Sequence, residues 1–259
     1  MEWVILATVT LFGLLIGSFL NVVIHRGPGI WGLVDDSDRG NLSFPRSYCP
    51  SCRKQLAILE LIPLLSYVAS AGKCRSCSVP INPRYPIVEL LGALAALGAI
   101  YFFGYTPAAF GAAILCWFLI ALAIIDFETG YLPDMLTLPL IILGLAANGA
   151  GLFVPITASI IGAAAGFLSF RLIGALFYRL RGIEGLGQGD AKLLAALGAW
   201  VGWQALPIIV LVGSVTTLLV LTFSGQFKSD NKTLEIPFGP GLCIGGLAAL
   251  LLDISKIGF

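Results

Sequence analysis

Apolar runs of about 20 residues recur from one end of this chain to the other, and that recurrence dictates the solvent in which it folds. A helix of about that length crosses the hydrocarbon of a bilayer. The runs fall at 3–24, 86–104, 107–126, 135–152, 155–178, 190–204, 206–223 and 237–254, so about eight spanning helices are expected. The segment 190–204 is short and 135–152 carries Pro139. Only 11% of the 259 residues are charged. A soluble domain carries about a quarter. The expected fold class is therefore an all-α polytopic membrane protein. Its segments are a first transmembrane helix over 1–25, a loop over 26–85 and a transmembrane core over 86–259. The first run lacks a preceding basic region and a small-residue cleavage site, so it reads as a retained span. Gly162, Gly166 and Gly174 share one run, and small residues in lipid let helices approach closely.

Basic residues set the orientation, because short cytoplasmic loops carry the excess of Lys and Arg. Arg26, Arg39, Arg46, Arg53, Lys54, Lys73, Arg75 and Arg84 lie between the first two runs. Arg179, Arg181 and Lys192 flank one later turn, and Lys228 and Lys232 another. One alternating topology puts these thirteen of the fifteen basic residues on the cytoplasmic side, with both termini outside. Arg171 lies within a span, and Lys256 falls outside. A net charge of +1 gives no reason to expect a nucleic-acid partner; the lipid bilayer is the expected one.

The loop over 26–85 holds two paired cysteine turns, Cys49-Pro-Ser-Cys52 and Cys74-Arg-Ser-Cys77. Two CxxC turns separated by about 20 residues are the spacing of a zinc ribbon or knuckle. A loop this small buries too little apolar surface to fix itself, and a metal supplies the missing stability. A reducing cytoplasmic setting disfavours disulfides. Four thiolates close the coordination shell, so the expected Zn2+ at Cys49, Cys52, Cys74 and Cys77 is structural rather than catalytic. Four free or redox-active thiols are the other reading of the same pattern. Cys116 and Cys243 lie in apolar runs and read as small buried residues. His25 reads as an interfacial residue. The apolar stretch 56–70 is too short to span and is expected to lie on the membrane surface or pack on the bundle.

Acidic side chains within spans are candidates for function, because lipid makes them costly. Asp126 closes the run LCWFLIALAIID, and Asp190 closes GLGQGD at the start of another. Both fall at the cytoplasmic ends of their helices in this topology, so they share a depth. Gly185, Gly187 and Gly189 leave room near Asp190 for another backbone. Two carboxylates meeting in a partly dry site can share one proton and hydrolyse a peptide without a metal or a nucleophilic side chain. Asp190 can equally be a helix cap, as Asp at an N-terminus often is. Glu89 and Asp134 read as acids near helix starts, and Asp253 as an exposed residue at the last exit.

Taken together, five segments resemble the type IV prepilin peptidase family of leader peptidases and N-methyltransferases. They are GSFLNVVIHR (17–26), the cysteine loop and following helix (47–94), IDFETGYLPDMLTLP (125–139), GLGQGDAKLLAALGAWVG (185–202) and IPFGPGL (236–242). They occur in the family's order over nearly the whole chain. The resemblance implies a GxGD-type intramembrane aspartyl protease of the bacterial inner membrane, with its active site facing the cytoplasm. Its catalytic acids are Asp126 and Asp190, and its cytoplasmic zinc-binding loop uses Cys49, Cys52, Cys74 and Cys77. The implied substrates are type IV prepilins or pseudopilins, cut commonly between Gly and Phe. N-methylation from S-adenosylmethionine follows in many members. One departure stands at 57–67, where AILELIPLLSY replaces an aromatic-rich stretch.

Two other classes fit parts of the pattern. An ion-coupled transporter also places acids and Gly- or Pro-broken helices in the membrane, but it predicts inverted repeats and leaves the cysteine loop unexplained. A zinc-stabilised secretion assembly protein without activity predicts that Asp126 and Asp190 are dispensable.

Overall fold

In lipid a backbone must satisfy its own N–H and C=O groups, which leaves helices as the economical choice for a chain with this pattern. The computed structural model describes residues 2–35, 40–182, 187–224 and 237–252. Arg39, Gly185, Lys228, Lys232, Asp253 and Lys256 lie outside the described residues. The described residues form nine α-helices: α1 (Glu2–Ile30), α2 (Leu65–Ala69), α3 (Arg84–Phe103), α4 (Pro107–Thr129), α5 (Asp134–Gly149), α6 (Ile156–Arg181), α7 (Gln188–Val201), α8 (Leu206–Ser224) and α9 (Gly239–Leu252). Two 3-10 turns, Ile58–Leu61 and Trp203–Ala205, and two isolated β-bridges accompany them among those residues.

Apart from the short α2, each helix falls on one of the predicted apolar runs. Five segments are long and apolar enough to cross a membrane: α1, α3, α4, α6 and Trp203–Phe223, which contains α8. The chain is thus a multi-pass, all-helical membrane protein. α5 and α9 are shorter apolar helices, and α7 has only 14 residues. Some ends differ from expectation. α1 continues through Pro28 to Ile30. There the buried Arg26 guanidinium donates to the Asn41 carbonyl at 2.8 Å and ties the helix end to the following loop. α4 continues one turn past Asp126, ending where Gly130 takes a positive φ of 71°.

The chain divides into two compact units, Met1–Ala121 and Leu122–Phe259. In the first, α1 and α3 run antiparallel with almost no side chain between them. A Cβ on Gly13 would sit 2.7 Å from the Ala93 Cα, and one on Gly92 would sit 2.8 Å from the Gly17 Cα. Such close backbones gain dispersion contact, the main attraction available between helices in lipid. Trp117 donates its indole N–H to the Gly92 carbonyl at 3.0 Å, and Asn21 donates to the Tyr85 carbonyl at 3.0 Å.

In the second unit α7 is the buried centre, packed against α5, α6 and α9. Residues Leu193–Trp200 are buried without interruption. A helix that is apolar all round is a core helix rather than a surface one. Gly162 of α6 and Gly198 of α7 meet backbone to backbone, and neither position has space for a Cβ. The C-terminal carbonyls of α7 would otherwise be left without partners. Asn148 of α5 donates to the Ala199 and Trp200 carbonyls at 2.8 and 2.9 Å and accepts from the amides of Phe153 and Val154. Ser159 donates to Ala199, and the Trp200 indole donates to the Leu140 carbonyl.

Candidate active site and metal centre

The same packing that buries α7 holds its N-terminal turn in place. Gly187 is the N-cap of α7, in extended conformation, and Asp190 is three residues on. The Gly187 amide reaches back to the Asp190 carboxylate. That is one half of a capping box, so the capping reading of Asp190 holds as a local fact. It does not exhaust the residue, because Asp126 accepts a hydrogen bond from the first residue of α9, and α9 packs on α7. The two acids singled out in sequence therefore come together within one unit, although 64 positions apart.

Asp126 lies one turn inside the end of α4 and is 4% exposed. Its Oδ2 accepts the Gly239 N–H at 2.9 Å, at the first residue of α9. Gly239 is obligatory there, since a Cβ would stand 2.6 Å from that same oxygen. The first turns of α7 and α9 thus both offer backbone N–H groups to a carboxylate, and each carries the positive end of a helix dipole. The motif at 236–242 was visible in sequence, but its role as the partner of Asp126 was not. Cys243, one turn further along α9, is buried, as its apolar run implied.

Other acids stand apart. Asp134 opens α5, is exposed, and forms an ion pair with Lys192 of α7 at 2.5 Å. Gly189 does not leave open room: its missing side chain is replaced by Leu132, whose Cβ would be 2.8 Å from a Cβ at 189. That glycine serves the packing of the α4–α5 turn, which corrects the expectation of space for another backbone at that position. The nearest group to a Cβ at Gly187 is the Asp190 carboxylate itself, at 3.0 Å.

In the first unit the four cysteines of the loop bring one thiol each to a common point, all within 4.8 Å of one another. Cys49 Sγ and Cys77 Sγ are 3.8 Å apart. A zinc–sulfur bond of about 2.3 Å in a tetrahedron gives an edge of about 3.8 Å, so the spacing fits the ion. The two turns are built alike. Cys49 N–H donates to Lys54 O and Arg53 N–H to Cys49 O; Cys74 N–H donates to Val79 O and Ser78 N–H to Cys74 O. Arg53 and Ser78 both have a φ of 57°, a left-handed conformation that turns the backbone around the thiols. The amides of Cys77 and Ser76 pull the Cys74 thiol down to about 6. At Cys77 the Val79 amide also pulls down, but desolvation and the neighbouring thiols together carry it up to about 12. His25 is not among this cluster.

Known proteins give this architecture a family. Residues 11–103 match the Bacterial Peptidase A24 N-terminal domain, and residues 113–222 match the Type IV leader peptidase family. A prepilin leader peptidase/N-methyltransferase of Burkholderia pseudomallei is 47% identical over 95% of this chain and 84% of its own length. Proteins of the same name from Aeromonas salmonicida and Pseudomonas aeruginosa are 44% and 43% identical. The first match covers 97% of this chain and 92% of that relative, the second 93% and 88%. No solved structure matches. With helices, carboxylates and thiols disposed as described and relatives this similar over nearly their whole length, the chain belongs to the type IV leader peptidase family.

Proposed function

We propose that this membrane peptidase removes the basic leader from type IV prepilins or pseudopilins, using Asp126 and Asp190 as an aspartic dyad at the cytoplasmic face of the inner membrane. The observation that supports the reading is that the first turns of α7 and α9, two helices packed on each other, carry Asp190 and the amide bonded to Asp126. One acid is ionised and takes a proton from water; the other is protonated and gives its proton to the scissile carbonyl oxygen. The resulting tetrahedral diol collapses as the leaving amine is protonated, and the dyad returns to its starting state.

All the helices except α2 cross the bilayer in this reading, the short α5, α7 and α9 included. At about 1.5 Å per residue, the 14 residues of α7 cover about 21 Å of a hydrocarbon layer about 30 Å thick. In this reading the deficit of about 9 Å falls on the cytoplasmic side and leaves Asp190 in a recess open to water and an extended peptide. An unfolded segment carrying the cleavage junction suits such a recess.

Four thiolates would hold a structural Zn2+ at Cys49, Cys52, Cys74 and Cys77 and fix the loop rather than activate water. N-methylation of the newly exposed amine follows cleavage, as the names of the relatives imply. S-adenosylmethionine supplies the methyl group in that step, and no residue of this chain is assigned to it. Purified protein incubated with a prepilin and S-adenosylmethionine should yield a product lacking the leader and carrying one added methyl group, read by mass. Asp126→Asn and Asp190→Asn should each abolish leader loss in protein of normal abundance, and the double variant should be no worse, because a dyad acts as a unit. Wild-type rates in both single variants would refute the dyad.

A further inference from the structure

Between the two cysteine turns the chain exposes large apolar side chains outside any spanning helix. Ile58 is 76% exposed, Leu59 68%, Leu65 68% and Val68 75%. They belong to a single 3-10 turn over Ile58–Leu61 and to α2, neither long enough to cross a bilayer. Single exposed apolar residues need no explanation, but four within eleven positions form a patch. Between them Pro63 is buried, so the segment has an inner side on the protein and an outer apolar side.

The attachment of this segment fixes its level. Leu64 adopts a φ of 58° and a ψ of −48°, with the Leu65 N–H donating to the Pro63 carbonyl at 2.6 Å. This is a tight γ-turn in a strained region that persists only where surroundings impose it. Here the Leu64 N–H donates to the Glu89 carboxylate at 2.8 Å. Glu89 is the sixth residue of α3, about 7.5 Å along that helix from its start. It faces Gly17 of α1, which runs on for more than three further turns. The γ-turn is therefore bound to a level within the α1–α3 pair and not beyond its end. The apolar residues on either side of that turn are carried at the same level.

Charge completes the pattern. From residue 40 to residue 84 the chain has six basic residues and one acid, Glu60. Glu60 is turned onto the Ala57 N–H at 2.8 Å, whereas Arg53, Lys54, Lys73 and Arg75 are exposed at the two cysteine turns that flank the patch. An apolar outer side bordered by cations fits the interface of a bilayer with anionic headgroups.

We propose that 58–69 is a membrane-surface anchor. Ile58, Leu59, Leu65 and Val68 enter the headgroup–acyl boundary beside α1 and α3, and the four basic residues meet anionic headgroups. The anchor holds the cysteine turns at the membrane surface, so they do not sway as a tethered cytoplasmic knob.

The test uses the full chain in vesicles containing phosphatidylglycerol. A ketone-bearing residue is placed at Leu59, Val68 or, for comparison, Lys54, and a nitroxide is attached to it without touching the thiols. Only labelled protein that elutes as the unlabelled protein does is used. The ratio of collision with oxygen to collision with a water-soluble nickel chelate should be several-fold higher at 59 and 68 than at 54. Replacing phosphatidylglycerol with phosphatidylcholine should lower that ratio. Nickel access at 59 and 68 equal to that at 54 would overturn the anchor. So would exclusion of both reagents, which would mean that a second copy or another protein covers the patch. A ratio unaffected by removal of anionic lipid would overturn the role of the basic residues.

Discussion

The Gly239 amide does for Asp126 what few side chains could do without crowding it. It supplies one hydrogen bond of ordinary length from a backbone that cannot rotate away. Gly239→Ala would push a methyl group into the carboxylate it serves, since its Cβ would lie 2.6 Å from Oδ2. Displacement of a catalytic group by about 1 Å costs about 100-fold in rate. Cleavage by Gly239→Ala should therefore fall in kcat by about that factor, with KM little changed and the protein still extracted as a folded species. Steady-state kinetics on a prepilin separates the two parameters. Asp134→Asn should behave differently: it breaks only the exposed pair with Lys192, worth less than about 1 kcal/mol, and should keep most activity. Asp126 and Asp190 were legible as candidates because acids in apolar runs stand out. The Gly239 partner of Asp126 was not, because an amide carries no local signature and this one lies 113 positions from Asp126.

At the scale of elements, α7 depends on its neighbours for its position. Asn148 bonds four backbone groups at once, and a truncation there leaves the Trp200 carbonyl and two amides to find other partners, while the Ala199 carbonyl keeps Ser159. Asn148→Ala should destabilise the second unit by about 1–3 kcal/mol, read as a lowered unfolding temperature in detergent. Gly162→Leu should act on the same helix from the other side. It wedges α6 from Gly198 and should lower both stability and cleavage, whereas the same change at the exposed Gly149 end of α5 meets no neighbour and should not. The metal loop is an independent element by the same logic. Chelation of zinc, or Cys74→Ser, should open the four thiols to alkylation and melt the loop at a lower temperature. The spacing of the cysteines announced the site. The left-handed Arg53 and Ser78 were not foreseeable, because the tight turns that gather the thiols override a preference that those residue types express elsewhere.

For the whole molecule, the distribution of basic residues predicts that a reporter inserted after Arg84 reports cytoplasmic and one fused at Phe259 reports the opposite side. A cytoplasmic C-terminus would show that one of the short helices does not cross. The five long spans were readable as apolar runs because lipid demands them, and the approximate ends of these and of the shorter apolar helices followed. Which helix lies in the middle was not readable, since hydropathy marks contact with any apolar medium, lipid or protein alike. That central helix has a consequence for how the chain is made. A translocon sorts segments by their affinity for lipid as they emerge, and α7 offers it 14 residues with a charged first turn bearing Asp190 and Lys192. Such a segment has little reason to partition into the bilayer alone. Its partner is α6, already 26 residues long and shaped by Gly162 and Gly166 to receive it. In the proposed topology, where α7 crosses, release of α6 and α7 as a preformed hairpin would let the acid of α7 enter the membrane already leaning on protein.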